Sequence, residues 1–171
     1  EIISKYTSDN FYMRCTHPFN EIKGAENVAK HLWEPIKNSF RPIQRRMDIF
    51  YAGINSHDTY QGTWVSSMGH LMGVFNKSFF GLQPNNKSVL LRYAEFYKIE
   101  NNKITEGAFF LDLMNFMQQL RLSIIPESTG FVCVTPGPMN HQGLKFNLSD
   151  QNEGEKTLKL IHRMRDRLVE G

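Results

Sequence analysis

The chain has 171 residues, 40% of them hydrophobic and 13 of them phenylalanine. That suits one compact domain with a core of its own and excludes a disordered or low-complexity protein. Twenty basic residues against 17 acidic ones leave a net charge of +3, a margin too thin to point to nucleic acid. Cys15 and Cys133 lie 118 positions apart, which is neither a disulfide framework nor metal-ligand spacing. A reducing compartment follows, and the expected location is cytoplasmic. No run is long and apolar enough for a spanning helix, so no membrane partner is expected. The first residues have neither a secretory nor a transit-peptide composition. Phosphate-loop, dinucleotide, metalloprotease and nucleophile-elbow signatures are all missing.

In chain order, the segment up to about Met13 reads as a helix of poor period. Residues 25–40 then place Val28, Ala29, Leu32, Trp33, Ile36 and Phe40 on one helical face. Gly24 stands at the start, and Pro35 is expected to kink or segment the helix. From residue 43 the period changes to two. Runs over 43–54, 62–80, 88–99 and 103–111 are rich in β-branched and aromatic residues and read as strands. Asn101-Asn102 predicts a tight hairpin with positive φ. Short connections predict an antiparallel sheet, and Gly62, Gly69 and Gly73 predict bends or bulges. Residues 112–122 turn helical again, and 126–150 read as loop with a rigid Pro136-Gly137-Pro138. From 153 to 169, Leu160, Ile161, Met164 and Leu168 form an apolar stripe among nearly balanced charges, the pattern of a docking helix. Helices, strands and helices in this order predict an α+β protein.

Several stretches together carry a resemblance. They are His17-Pro18-Phe19 with Gly24-Ala25; Trp33-Glu34-Pro35-Ile36 with Phe40; Trp64-Val65 with Gly69-His70 and Gly73; Arg92 through Ile99; Asn102 through Glu106; and Asp112 through Leu120. Over residues 10–122 this resembles the SnoaL-like polyketide cyclases and ester cyclases, within the nuclear-transport-factor-2-like (cystatin-like) α+β superfamily. The resemblance implies a strongly curved antiparallel sheet wrapped around helices, a cone with an internal apolar pocket. It implies a cone domain over 1–124 and a C-terminal extension over 125–171, packed on the same domain and ending in the amphipathic helix. It also implies a homodimer formed through the outer sheet face, and ring closure by intramolecular aldol condensation without metal or organic cofactor. Asp112 occupies the place of the family's acid/base. Glu95 and Tyr97 stand where the best-known cyclases carry inward Gln and His, a departure from the pattern.

Read without the family, strand alternation puts Tyr93, Glu95 and Tyr97 on one face. The same alternation puts Glu106, Ala108, Phe110 and Asp112 on one face of the next strand. Were the two faces to line one pocket, carboxylates and phenols would meet in an aromatic lining. Burial and a neighbouring carboxylate would then tune a carboxyl for proton transfer at an enolisable carbon. The candidate catalytic residues are therefore Asp112, Glu95 and Tyr97; Trp33, Trp64, His70, Tyr93, His17 and Phe110 are candidates for contact with a small hydrophobic molecule. Each has a plainer reading. Asp112 can cap the following helix, the tyrosines and tryptophans can be core, His70 can be structural, and His17 can cap a turn. Arg45 and Arg46 read as a solvated face, and no histidine pair has metal-ligand spacing. The functions in competition are a cofactor-free cyclase, isomerase or hydrolase, a non-catalytic binding module and a protein-interaction domain that dimerises through the sheet.

Overall fold

Asn101 and Asn102 both take positive φ, 50° and 58°, and close a two-residue hairpin between Glu100 and Lys103, as the asparagine pair predicts. The hairpin belongs to a computed structural model that describes residues 2–56, 58–122, 126, 129, 130, 137 and 151–169. His57, Cys133, Phe131–Thr135 and Pro136 and Pro138 of the expected rigid loop lie outside the described residues. The chain divides into two compact units, residues 1–141 and 142–171.

In the first unit the elements run α1 (Ile2–Tyr6), β1 (Thr7–Cys15), β2 (Glu21–Lys23), α2 (Ala25–Val28), a π-helical turn (Ala29–Trp33), α3 (Glu34–Ser39), β3 (Phe40–Asn55), a short turn (Asp58–Tyr60), β4 (Gly62–Phe75), β5 (Ser88–Glu100), β6 (Lys103–Leu111) and α4 (Leu113–Gln119). The strands form one curved, unclosed sheet in the order β2-β1-β6-β5-β4-β3. The α+β architecture is as expected. Two details differ. The segment before Gly24 is mainly strand, because Phe11, Met13 and Cys15 alternate inward and β1 pairs parallel with β6. The sheet is thus antiparallel except at that one junction, with six strands where four were expected. In the second unit, α5 (Gln151–Val169) is the expected amphipathic helix, with Leu160, Ile161, Met164 and Leu168 exposed.

Pro35 acts on the helix as its chemistry requires. It has no N–H for the carbonyl one turn earlier and its ring crowds that carbonyl. The chain widens to a π turn over Ala29–Trp33 and continues as α3 without breaking. Val28, Leu32 and Ile36 stay buried along the widened helix, which lies against the inner face of the sheet. At one end of that face Phe40, Phe75, Phe79 and Phe116 pack ring on ring, with centroids 5.2–5.4 Å apart for four of the pairs. This end is solid aromatic core.

Gly69 is where β4 meets the edge strand at close range. A Cβ built there would stand 2.0 Å from the Arg46 carbonyl oxygen, so no other residue fits without moving β3. The register of the β3–β4 pair shifts at this place, between Met47 and Ile49, and Asp48 is the extra residue.

A second bulge decides which side chains face inward. In the β5–β6 hairpin, Ile99 pairs with Ile104 but Lys98 pairs with Glu106, leaving Thr105 without a partner in the ladder. The extra residue reverses the alternation along the rest of β6. Glu95 stands beside Phe109 and Tyr97 beside Gly107. Glu106, Ala108 and Phe110 therefore share a face, as their alternation predicts, but it is the outward one and not that of Tyr93, Glu95 and Tyr97.

Candidate functional site

Three neighbouring strands bring polar side chains together on the inner face. Across β4, β5 and β6, Ser67, Glu95 and Phe109 form one row, and Gly69, Tyr93 and Leu111 form the next. Arg45 enters from β3, in the row of Leu71 and Leu91. Between it and Glu95 lies the row of Gly69, which has no side chain, so the arginine can run across to the carboxylate.

The Arg45 guanidinium is ion-paired with Glu95 and lies over the Tyr93 ring, 4.8 Å from its centroid. Its Nε donates to the Tyr93 hydroxyl at 3.0 Å, and the nitrogen that pairs with Glu95 also donates to Ser67 Oγ at 3.3 Å. Tyr97 donates its hydroxyl proton to the other Glu95 oxygen at 3.0 Å. The Glu95 side chain is only 3% exposed, whereas that of Arg45 is 42% exposed. A carboxylate taken this far from water persists only with such partners. Burial raises the Tyr97 phenol to about 12, against an opposing pull from Arg45, so it stays a proton donor throughout the neutral range. Gly107 leaves room for the Tyr97 ring, whose edge would lie 3.3 Å from a Cβ there. Nearby Cys15, half-buried, is likewise raised by burial, to about 11, which keeps it a thiol.

Arg45 also faces a cleft of about 560 Å³ between the helix and the sheet. Trp33, Ile36, Ile43 and Leu71 supply its apolar wall, and Glu34 and Lys37 stand on α3 beside it. A smaller cavity of about 200 Å³ adjoins it, sharing Ile3 and Trp33, and is lined further by Phe11, Met13, Val28 and Tyr97. Trp33 packs edge-on against Phe109 at 5.3 Å and separates the two spaces. The π turn ends on Trp33, so the helix distortion required by Pro35 also sets the position of the indole.

Of the residues singled out in the sequence, Glu95, Tyr97 and Tyr93 lie in this cluster and Trp33 on its cavity wall. The others lie elsewhere. Trp64 and Phe110 line an outer groove of about 620 Å³ together with Tyr51, Tyr60 and Phe96. There the Trp64 indole donates to the Tyr60 carbonyl at 2.7 Å, and Phe110 meets Phe96 edge-on at 6.1 Å. His70 is buried, its Nδ1 3.0 Å from Asp48 Oδ2, on the face of β4 opposite to Ser67 and Leu71. His17 is exposed in the turn between β1 and β2. Asp112 is the N-cap of α4: its Oδ1 accepts the Asn115 amide at 2.9 Å, and it lines neither inner cavity.

Arg45 and Ser67 were not among the sequence candidates. The signal for Arg45 was present in part. In a period-two strand it shares a face with Ile43, so an inward Ile43 carries an arginine inward with it.

The sequence of residues 56–120 matches the family model for SnoaL-like polyketide cyclase. No curated protein sequence matches. Among solved structures, the fold is similar to that of AclR from Streptomyces galilaeus, a candidate hydroxylase, at TM-score 0.54 and 17% identity over 68% of this chain and 79% of that one. A candidate SnoaL-like polyketide cyclase from Jannaschia sp. CCS1 gives TM-score 0.53 and 15% identity, covering 71% and 76%. IdmH from Streptomyces antibioticus, a candidate polyketide cyclase, gives TM-score 0.56 and 10% identity, covering 70% and 85%. Identities this low speak for the fold, and one fold carries many chemistries. Residues 56–120 are thus similar in sequence to SnoaL-like polyketide cyclases, and the α+β fold around them is the one seen in these solved structures.

Proposed function

We propose that the protein binds a small hydrophobic carbonyl compound in the inner cleft, with the ligand oxygen at Arg45 and the apolar body against Trp33, Ile36 and Leu71. One observation carries this reading. Arg45 is held on one side by Glu95, Tyr93 and Ser67, while its third nitrogen, Nη1, has no hydrogen-bond partner among the described residues. A fixed cation with donors to spare in an apolar wall is what orients a polar group on an otherwise apolar ligand. Glu95 and Tyr97 act in this reading as positioning residues, because they engage Arg45 and each other. A thermal-shift screen against hydrophobic ketones and acids, followed by product analysis, tests it. A stabilising compound recovered unchanged supports binding alone, and a compound converted to product supports turnover. No stabilisation by any apolar compound counts against the cleft.

Turnover by acid–base chemistry at Asp112, as an aldol cyclisation or isomerisation without metal or organic cofactor, is the second reading. It is favoured by the family-matching place of Asp112 at the end of β6 and by Oδ2, which the helix cap does not use. Homodimerisation through the outer sheet face is proposed as well, supported by the aromatic groove of Tyr51, Tyr60, Trp64, Phe96 and Phe110. Light scattering after size exclusion tests it, and a monomer at micromolar concentration overturns it. A cytoplasmic location rests on the cysteine usage alone.

A further inference from the structure

The two inner cavities differ in character, and the difference specifies the ligand. The smaller one is walled mainly by Ile2, Ile3, Phe11, Met13, Val28 and Ile104. Of its polar groups, the Thr7 hydroxyl donates to the Ile3 carbonyl at 3.2 Å, that of Tyr97 donates to Glu95, and Tyr6 is exposed. The larger one holds the open side of Arg45 and, on α3, Lys37. Trp33 belongs to both walls. The space is therefore an apolar chamber leading past an indole to a mouth with two cationic side chains.

Charge at the mouth is not all of one sign. Glu34 lines the same cleft, one helical turn before Lys37, and offsets part of its field. Glu95 offsets part of that of Arg45, but its oxygens are turned to Arg45 and Tyr97 and are screened from the cleft by burial. The donors that remain available at the mouth are Nη1 of Arg45 and the Lys37 ammonium. A neutral carbonyl can use one of them, whereas a carboxylate has oxygens for both and makes charge-assisted bonds.

From this arrangement we infer that the ligand is an amphiphilic carboxylic acid, its acid group bound by Arg45 and Lys37 and its apolar end in the chamber beyond Trp33. The inference rests on the cleft being the binding site and narrows the carbonyl compounds it admits to acids. Trp64 lies in the outer groove, so Trp64→Phe leaves Trp33 as the only indole and its fluorescence as the reporter. In that background octanoate and octanol are titrated as paired probes at neutral pH. The acid is expected to bind about tenfold or more tightly than the alcohol and to weaken as salt is added. Lys37→Met, an exposed substitution, lowers the acid preference. In Arg45→Met/Glu95→Met, which removes both members of the ion pair and leaves no stranded charge, the acid preference falls as well, and adding Lys37→Met makes the two probes bind alike. Equal binding of acid and alcohol to the protein with Arg45 and Lys37 intact overturns the acid inference while leaving the cleft as the site. If neither probe perturbs Trp33, both the inference and the cleft reading fall.

Discussion

Glu95 and Arg45 form an ion pair that reaches from β5 to β3 over an intervening strand, one end buried and the other in the cleft. The pair joins the stability of the sheet to the proposed binding site. The buried carboxylate requires the arginine, and the arginine so held faces the cleft beside Glu34 and Lys37 of α3.

Removing Arg45 alone strands the Glu95 charge. Arg45→Met is expected to cost about 3–5 kcal/mol. Arg45→Met/Glu95→Met costs less than that single change, since no unpaired ion remains. Urea unfolding of the three proteins checks it, and additive costs would contradict the pairing.

Tyr97 makes alkaline stability measurable at one residue. Its phenol ionises near 10 in the unfolded chain and near 12 in the folded protein. Between those values only the unfolded state gains by losing the proton. Its contribution is complete below pH 10 and fades as pH rises through 12, a loss on the order of 2–3 kcal/mol. Tyr97→Phe should therefore flatten stability over that window. Parallel curves for the two proteins from pH 9 to 12 would remove the assignment.

Gly69→Ala drives a methyl group into the backbone carbonyl of Arg46. Rigid backbone cannot yield as a flexible side chain does, so the variant should lose several kcal/mol, about as much as a severe core substitution. Thermal melting reads it directly. A shift of no more than a degree or two would mean that β3 slides freely past β4.

Asp112 has a structural role that must be separated from a chemical one. Asparagine caps a helix nearly as well as aspartate, whereas alanine loses about 1 kcal/mol. Asp112→Asn should keep its melting temperature and Asp112→Ala should not. If Asp112 also transfers protons, Asn abolishes turnover of any substrate the thermal-shift screen identifies. Full turnover by Asp112→Asn leaves only the cap.

Cys15 tests the interior from another side. With its thiol raised to about 11, alkylation by iodoacetamide near pH 8 should be much slower in the folded protein than in urea. Equal rates would show that the wall of β1 is open to solvent.

Much of this protein was legible in its amino acids, because the information was local. Asn101-Asn102 set a hairpin, Pro35 set a disturbance in a helix, and β-branched and aromatic runs set four long strands. Asp112 could be seen as a cap because capping involves only the next three residues. Which side chains share a face was not local. One extra residue, Thr105, reverses β6 and sends Phe110 and Glu106 outward. A bulge is a mismatch between two strands, absent from the periodicity of either. The meeting of Arg45 with Glu95 depended in the same way on the sheet. Fifty positions apart in the chain, they come together because β3, β4 and β5 lie side by side and because Gly69 leaves the space between them empty.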